Sequence, residues 1–292
     1  MGQILPNVAV LLAAYNGSAF IEEQLQSILR QQSVRLTIYI SVDLSSDDCY
    51  QRCCDFAKKH PQIIMLAYGQ KFGGAAANFY RLIKDVDFSD FDYVALADQD
   101  DIWLDDKLLT ACTKLEQGNY HAYSGNVLAF WPDGRELLIN KALPQRKYDY
   151  LFEAAGPGCT YVLRTEPMML FKDLLQEKWP QAQQVILHDW FIYAFFRASD
   201  LSWFIDPDYK LLYRQHPDNQ VGIHKGWQAS IKRLGLLHNG WCKQQVVRVS
   251  SLINEHHMDV HSRWSILKNI SQLRRRFRDR CILFFIAFCG LY

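Results

Sequence analysis

The sequence lacks the features that mark zinc-binding and exported proteins. Its eight cysteines include no CxxC pair, so the spacing of a zinc ribbon is absent. The amino terminus has no charged segment followed by an apolar run and a small-residue cleavage site, so no signal peptide is predicted. We therefore expect reduced thiols in a cytoplasmic protein.

The common glycine motifs for nucleotides are also missing. The small-residue segment at residues 73–78 has neither the spacing of a dinucleotide fingerprint nor that of a P-loop, so NAD and ATP binding are not predicted. No known RNA or DNA module is present, and no nucleic-acid partner is expected. The apolar run at residues 281–288 is too short for a membrane span, which needs about 20 residues.

Net charge is small, at +1, but its sign is unevenly distributed. Residues 225–280 carry twelve Lys and Arg against three Asp and Glu, so this stretch sums to +9 and the rest of the chain to −8. Five arginines at residues 274–280, followed by the apolar run, predict an interfacial segment in which arginines meet anionic lipid headgroups. The alternative is a helix packed on the body with a solvated basic face.

Short apolar runs alternate with helical patterns along the amino-terminal part of the chain. Runs typical of strands lie at residues 8–12, 36–42, 63–67 and 92–97, with helical patterns between them. This order predicts an α/β fold with a mostly parallel sheet flanked by helices, in which ligands bind at the carboxyl ends of the strands. Two further short strands are expected at residues 203–205 and 209–213.

The character of the chain changes in its last quarter, where basic helical segments follow one another. We predict a boundary near residue 222. It would divide a domain of residues 1–222 from a basic, helical carboxyl-terminal region of residues 223–292.

The strongest chemical signal is the acidic segment that follows the fourth predicted strand. Asp98, Asp100 and Asp101 lie within four residues, and such a cluster usually needs a cation to offset its repulsion. Oxygen ligands suit Mg²⁺ or Mn²⁺, which bridge diphosphate oxygens. The alternative is a solvated acidic turn that begins the next helix.

Two later segments add candidate groups. Asp189 opens a helical pattern, where it can be either a helix-capping carboxylate or a general base near a metal–diphosphate site. Arg214 and His216 follow a predicted strand, and both suit a diphosphate or its metal. A structural histidine is an equal alternative for His216.

Taken in order, the segments AAYNG, DQDDIW, HDW and YRQHxxN resemble the family 2 inverting glycosyltransferases over about residues 6–222. That family has the GT-A fold, a Rossmann-like and mostly parallel sheet. The set is most similar to bacterial rhamnosyltransferases of surface polysaccharide synthesis, such as that of lipopolysaccharide O-antigen. The resemblance implies inverting transfer of a sugar, first of all L-rhamnose, from a nucleotide-diphosphate donor to a hydroxyl of a saccharide or lipid-linked saccharide, at the cytoplasmic face of the inner membrane.

The resemblance also implies a role for each matching position. Asp189 matches the catalytic base, and Asp100 with His216 matches the site of Mg²⁺ or Mn²⁺. The positions that match the binding site of the nucleotide sugar are Ala14, Tyr15, Asp43, Asn78 and Asp98. The positions on the acceptor side are Gly158, Cys159, Thr160 and Trp190.

One segment departs from the family pattern, which often reads SDDGS after the second strand. The chain has SVDLS at residues 41–45, and Leu44 stands where the family's glycine suggests a positive φ. This departure keeps open an inactive nucleotide-sugar-binding relative. A sugar-nucleotide-forming nucleotidyltransferase is a further alternative, although residues 13–18 lack the basic residue usual in its first loop.

Overall fold

The computed structural model describes residues 5–216 and 240–292, and the strands within them form one nine-stranded mixed sheet. The strands are β1 (Asn7–Ala14), β2 (Arg35–Val42), β3 (Ile63–Met65), β4 (Tyr93–Ala97), β5 (Ile102–Trp103), β6 (Ala122–Phe130), β7 (Glu136–Ile139), β8 (Val162–Arg164) and β9 (Trp203–Arg214). The helices are α1 (Ile21–Leu29), α2 (Cys49–Lys59), α3 (Ala75–Asp85), α4 (Lys107–Gln117), α5 (Thr165–Glu177), α6 (Trp179–Ala182), α7 (His188–Ala198), α8 (Trp241–Leu252), α9 (Arg263–Asn269) and α10 (Phe277–Phe288). Short 3₁₀ turns lie at Asp149–Leu151, Gly158–Thr160 and Ile270–Gln272.

The amino-terminal half of the sheet is parallel, in the order β3-β2-β1-β4. Its register aligns Ala14 with Val42 at the ends of β1 and β2, and Leu12 with Ala97 at the end of β4. The loops that follow these three strands therefore emerge at one edge of the sheet. The predicted α/β fold and its four strands are confirmed.

Alternation along β1 builds a core on each face of the sheet. Val10 packs on one face with Leu25 and Ile28 of α1, whereas Leu11 packs on the other face with Phe79 of α3. All five side chains are buried. Burial of each such side chain contributes about 1.5–3 kcal/mol, which fixes the strand register and hence the position of the loops.

The remaining strands extend the sheet with mixed pairing. β8 runs antiparallel to both β4 and β6, and β9 runs parallel to β6. The two strands predicted at residues 203–205 and 209–213 are in fact one strand, β9, and this prediction was wrong. The ladder with β6 shifts register after Gly125, close to Pro207, because proline has no N–H to donate and a β-bulge accommodates it.

The carboxyl-terminal region packs against the body and shares its core. Val249 of α8, Leu273, and Leu283 and Ala287 of α10 are buried in the same cluster as the residues of α3 and α7. The boundary predicted near residue 222 lies outside the described residues. None of the helices in residues 5–216 and 240–292 has both the length and the apolar character that a bilayer crossing requires.

The side chains of the three arginines that precede α10 contact the body of the protein. The side chains of Arg274, Arg275 and Arg276 donate hydrogen bonds to the carbonyl oxygens of Phe152, Ala154 and Asn140, respectively. Arg275 is also fully enclosed, with Nε 4.0 Å from Asp149 Oδ2 and Nη2 3.5 Å from Glu153 Oε2. The expectation that all five arginines meet lipid is therefore wrong for these three, because they tie the carboxyl-terminal segment to the body.

Candidate active site

The acidic segment lies at the carboxyl edge of the sheet, where the sequence predicts it. His216 Nε2 lies 2.8 Å from Asp100 Oδ2, just beyond the end of β9. Arg214 Nε donates to the Asp100 carbonyl oxygen at 2.9 Å, and its backbone N–H donates to Asp101 Oδ1 at 3.4 Å. The structure thus brings together the two residues expected to hold a metal, although they are 116 residues apart.

The carboxylates in this segment are close enough to raise one another's pKa by electrostatic repulsion. Burial, together with the charges of Asp100 and Asp189, raises the pKa of Asp98 to about 7. Burial, with the charges of Asp100 and Asp98, holds the pKa of Asp101 well above its usual range. These groups do not all ionise near neutral pH unless a positive charge joins them, which is the electrostatic condition of a cation site.

Cys159 lies beneath these carboxylates. Its Sγ and one carboxylate oxygen each of Asp98 and Asp101 all lie within 4.8 Å of one another. Burial and the two carboxylates hold the pKa of the thiol well above its usual range, so the thiol keeps its proton and donates it. A neutral thiol is a poor ligand for a hard cation, and we assign Cys159 to support of the acidic segment.

The residues expected on the acceptor side are buried. Thr160 Oγ1 donates to the Pro157 carbonyl oxygen at 2.7 Å, and Trp190 Nε1 donates to the Tyr150 carbonyl oxygen at 2.7 Å. Together with Gly158 and Cys159 they have little exposure to solvent. The polar atoms of Thr160 and Trp190 are used within the protein, and the placement of these four residues on the acceptor side stays a prediction.

Asp189 stands in the first turn of α7, close to the acidic segment. A Cβ at Gly158 would lie 3.3 Å from Asp189 Cβ and 2.6 Å from His188 Nε2, so glycine is needed for this close approach. Because Cys159 follows directly, the Gly158 loop joins Asp189 to Asp98. His188 itself stacks on Phe79 at 4.0 Å, and burial lowers its pKa to about 3, so its ring is neutral.

The environment of Asp189 suits a proton acceptor. Burial raises its pKa to about 6, against the lowering effects of the Trp190 N–H, 2.8 Å from Oδ1, and of the positive charge of Lys141. A carboxyl with a pKa near 6 is ionised at neutral pH yet more basic than an ordinary aspartate. This is the condition that general base catalysis favours.

On the donor side, Asp43 holds a loop. Its Oδ1 accepts hydrogen bonds from the N–H groups of Leu44 and Phe72, both at 2.7 Å, and its Oδ2 accepts from the N–H of Gly73 at 2.9 Å. A nucleotide contact by Asp43 stays a prediction. Leu44 is not among the described residues with positive φ, so the strain expected there is absent.

Asn78 closes the gap between the ends of β1 and β2. Its side-chain N–H₂ donates to the carbonyl oxygens of Ala14 at 3.3 Å and Ser41 at 3.0 Å, while its oxygen accepts from the Ser41 hydroxyl. Asn78 and Ala14 are both buried, whereas the Tyr15 side chain is about half exposed. Among the residues Ala14, Tyr15 and Asn78, which were predicted to bind the nucleotide sugar, Tyr15 has the side chain that is open to a ligand.

Gln99 is a site residue that the sequence analysis missed. Its side-chain oxygen accepts from the Tyr15 N–H at 2.7 Å, and its side-chain nitrogen donates to the Tyr15 carbonyl at 2.8 Å. A Cβ at Gly17 would lie 2.2 Å from Gln99 Oε1. The amide therefore lies across Gly17 and ties the loop after β1 to the acidic segment.

Comparison with known proteins agrees with this geometry. A profile of glycosyl transferase family 2 matches residues 9–176. A dTDP-rhamnosyl transferase of Shigella flexneri, RfbG, is 47% identical over 243 residues, which cover 83% of this chain and 84% of that protein. The Escherichia coli enzyme WfgD, a UDP-Glc:α-D-GlcNAc-diphosphoundecaprenol β-1,3-glucosyltransferase, is 23% identical over 158 residues, covering 53% of this chain and 59% of that protein.

Solved structures show the same fold at low identity. TarS of S. aureus, in complex with UDP-GlcNAc, superposes with a TM-score of 0.62 at 11% identity, over 98% of this chain and 80% of that chain. The mannosyltransferase PcManGT of Pyrobaculum calidifontis, in complex with GDP-Man and Mn²⁺, gives 0.55 at 17% identity, over 99% and 81%. The sheet and its flanking helices have the fold of the GT-A glycosyltransferases.

The chain belongs to glycosyltransferase family 2. It is a glycosyltransferase that takes its sugar from a nucleotide-sugar donor. The family and the GT-A fold expected from the sequence are confirmed.

The contact between Gln99 and Gly17 predicts a specific coupling. Gln99→Ala removes two hydrogen bonds and should destabilise the protein by about 1–3 kcal/mol. Gly17→Ala should displace the amide and cost a similar amount, but it should cost much less once Gln99 is Ala, because the clash is then gone. Urea unfolding of the four proteins, together with KM for the donor, measures the coupling.

Gly74→Ala is the matched control, since a Cβ at Gly74 meets no atom within 4 Å. Its effect should add simply to that of Gln99→Ala. Additive effects of Gly17→Ala and Gln99→Ala would show that the amide does not rest on Gly17.

Proposed function

We propose that the protein transfers L-rhamnose from dTDP-rhamnose to a hydroxyl of a saccharide or lipid-linked saccharide acceptor in surface polysaccharide synthesis, with inversion at the anomeric carbon. The reaction rests on one observation, the meeting of Asp189 with the segment of Asp98 and Asp100 at one edge of the sheet. The donor rests on the 47% identity with a dTDP-rhamnosyl transferase.

The side chains divide the work of such a transfer. Asp189 takes the proton of the acceptor hydroxyl as that oxygen attacks the anomeric carbon. The exposed ring of Tyr15 offers a flat surface to the nucleotide base. Inversion needs a single displacement, so no side chain acts as a nucleophile. The loop that Gln99 holds keeps the base-binding side in line with the acidic segment.

A divalent cation fits the donor set of this site. Asp98 and Asp100 offer carboxylate oxygens and His216 an imidazole nitrogen, while Asp101 is fully buried below them. When bound, the cation would offset the negative charge of the leaving diphosphate. A mixed oxygen and nitrogen set favours Mn²⁺ over Mg²⁺, which prefers oxygen alone.

The two alternatives have less support. The inactive relative was motivated by the departure at residues 42–44, and Leu44 adopts its turn without a positive φ. The nucleotidyltransferase usually carries a basic residue in the loop after β1, whereas residues 15–18 of this chain have none.

Incubation with a panel of nucleotide sugars tests the function. We expect release of nucleotide diphosphate to be fastest from dTDP-rhamnose, faster with Mn²⁺ than with Mg²⁺, and lost in EDTA. Asp100→Ala should abolish release without unfolding the protein, because a carboxylate at the cleft supports no core packing. Asp105→Ala, at an exposed acid of the same stretch, is the control and should retain full release. A faster reaction with another donor would replace the rhamnose assignment.

The pKa of Asp189 predicts the pH dependence of transfer. The carboxyl must be ionised to accept a proton, and its raised pKa keeps it protonated in acid. The value of kcat/KM should therefore rise about tenfold per pH unit below about pH 6 and level off above it. Asp189→Asn keeps the shape, removes the base and should lose transfer while still binding the donor. A level profile down to pH 4.5 would remove Asp189 from this role.

The carboxyl-terminal helix offers a surface for peripheral membrane attachment, at the cytoplasmic face of the inner membrane. Phe277, Phe285 and Phe288 of α10 are each more than 60% exposed, an unusual concentration of apolar surface. Arg278 of the same helix has 77% of its side chain exposed, although its Nε lies 3.4 Å from Asp279 Oδ1, and Lys268 of α9 is also exposed. Apolar rings next to exposed cations match the acyl boundary and headgroups of an anionic bilayer.

Vesicle sedimentation tests this attachment without disturbing the core. Removal of α10 would also remove Leu283 and Ala287 from the core, so substitution is the better probe. Replacement of Phe277, Phe285 and Phe288 by Gln should weaken binding to anionic vesicles by about tenfold or more. Leu170→Gln, at an exposed position of α5, is the control and should bind as the parent does. Equal binding by the triple variant would contradict the proposal.

A further inference from the structure

A small cavity lies between residues 141–153 and the start of α10. It measures about 30 Å³ and is lined by charged side chains and one leucine. The lining residues are Lys141, Leu143, Glu153, Arg275, Arg276 and Asp279. Three cations face two carboxylates, so the lining carries a net positive charge.

The cations of this cavity differ in their engagement. Arg275 pairs with Glu153 at 3.5 Å, and Arg276 donates to a backbone carbonyl oxygen. The Lys141 ammonium makes no hydrogen bond or ion pair to any residue in the described ranges, 5–216 and 240–292. Arg275 Nη1 is buried and also lacks an acceptor among these residues. A buried donor such as Arg275 Nη1 favours an anionic ligand, because burial without an acceptor is costly, and the partly exposed Lys141 lines the same cavity.

One lining residue of the cavity, Lys141, is connected to Asp189 by packing and by charge. Lys141 Cβ is 3.8 Å from the position that a Cβ at Gly156 would take, and Gly158, two residues further, packs against Asp189. The positive charge of Lys141 also lowers the pKa of Asp189, and the charge of Asp189 in turn raises that of Lys141. A group bound at Lys141 would therefore belong to the molecule whose hydroxyl Asp189 deprotonates.

The other side of the cavity leads to the apolar surface of α10. Arg276 immediately precedes the helix, and Asp279 lies in its first turn. Phe277, between them, is 73% exposed. From α10 to Asp189 the structure thus offers an apolar surface, then cations, then a base.

We propose that Lys141, supported by Arg275 and Arg276, binds a phosphoryl group of the acceptor, the one through which a saccharide is joined to its lipid carrier. The order of surfaces matches such a molecule, with its lipid at α10, its phosphate at Lys141 and its sugar hydroxyl at Asp189. A cavity of about 30 Å³ holds little more than one or two waters, so the phosphoryl group meets the cations at the cavity mouth. The inference rests on the proposed use of a lipid-linked acceptor.

Binding of short diphosphates to the full chain tests the site. Titration calorimetry in EDTA, which removes any metal-dependent diphosphate binding at Asp100, compares geranyl diphosphate, inorganic diphosphate and geraniol. We expect geranyl diphosphate to bind most tightly and geraniol least. Lys141→Gln should weaken geranyl diphosphate binding about tenfold or more, and Arg276→Gln should weaken it less. Lys59→Gln, at an exposed lysine of α2, should stay within about twofold of the parent.

Unchanged binding by Lys141→Gln, or displacement of geranyl diphosphate by dTDP in EDTA, would overturn the proposal. If inorganic diphosphate bound as tightly as geranyl diphosphate, the site would bind a phosphoryl group but would not recognise the lipid carrier. A parallel loss of anionic vesicle binding in Lys141→Gln would assign the site to membrane headgroups instead. dTDP binding with Mn²⁺ should be unchanged in Lys141→Gln, which shows that the variant folds.

The outcome of this binding experiment is independent of the experiment that tests the sugar donor. A nucleotide-sugar panel without any release would reject the transfer reaction even if geranyl diphosphate binds at Lys141. Release from dTDP-rhamnose together with unaltered diphosphate binding by Lys141→Gln would keep the reaction and reject this site.

Discussion

Crowding of carboxylates at one edge of the sheet is the constraint on which the rest of the site depends. Residues 98–101 put three of them beyond β4, and burial makes their joint ionisation costly. The protein supplies partial compensation from several directions, with the Cys159 thiol below, Arg214 and His216 at the end of β9, and the buried ammonium of Lys107. Burial lowers the pKa of Lys107 to about 7, so this lysine offsets only part of the charge. The negative charge of these carboxylates therefore remains partly uncompensated by the protein. A bound cation, together with the diphosphate it holds, can complete the charge balance.

The same four residues also hold the cleft together. Asp98 and Asp100 are the acids proposed to meet a ligand, while the Gln99 side chain binds the Tyr15 backbone and Asp101 is fully buried. Similar ties continue along the edge, because Asp43 binds the loop after β3 to the end of β2, and Asn78 of α3 binds the ends of β1 and β2. Rigid loops cost less free energy to order when a donor binds, so these inward contacts serve binding without touching the ligand.

The local sequence pattern was enough to predict those parts of the structure that depend on residues close together in the chain. Alternating strands and helices, and acids placed directly after β4, follow from spacing along the chain. Contacts between distant segments could not be predicted from such spacing. Cys159 lies near Asp98, about 60 positions away in the sequence, and the Gln99 amide lies across Gly17, about 80 positions away. The expectation for Leu44 failed for a different reason, since it assumed the family's turn, whereas Asp43 holds a turn of another shape.

The carboxyl-terminal segment is tied to the part of the chain that leads to Asp189. Its arginines bind carbonyl oxygens at residues 140–154, and this stretch leads directly into the loop of Gly158 that packs on Asp189. The buried pairing of Arg275 with Asp149 and Glu153 makes this attachment costly to break. The basic character of the tail therefore has a structural origin first, in attaching this segment to residues 140–154. The same attachment brings Arg275 and Arg276 to the cavity that Lys141 lines, and so concentrates positive charge at the start of α10.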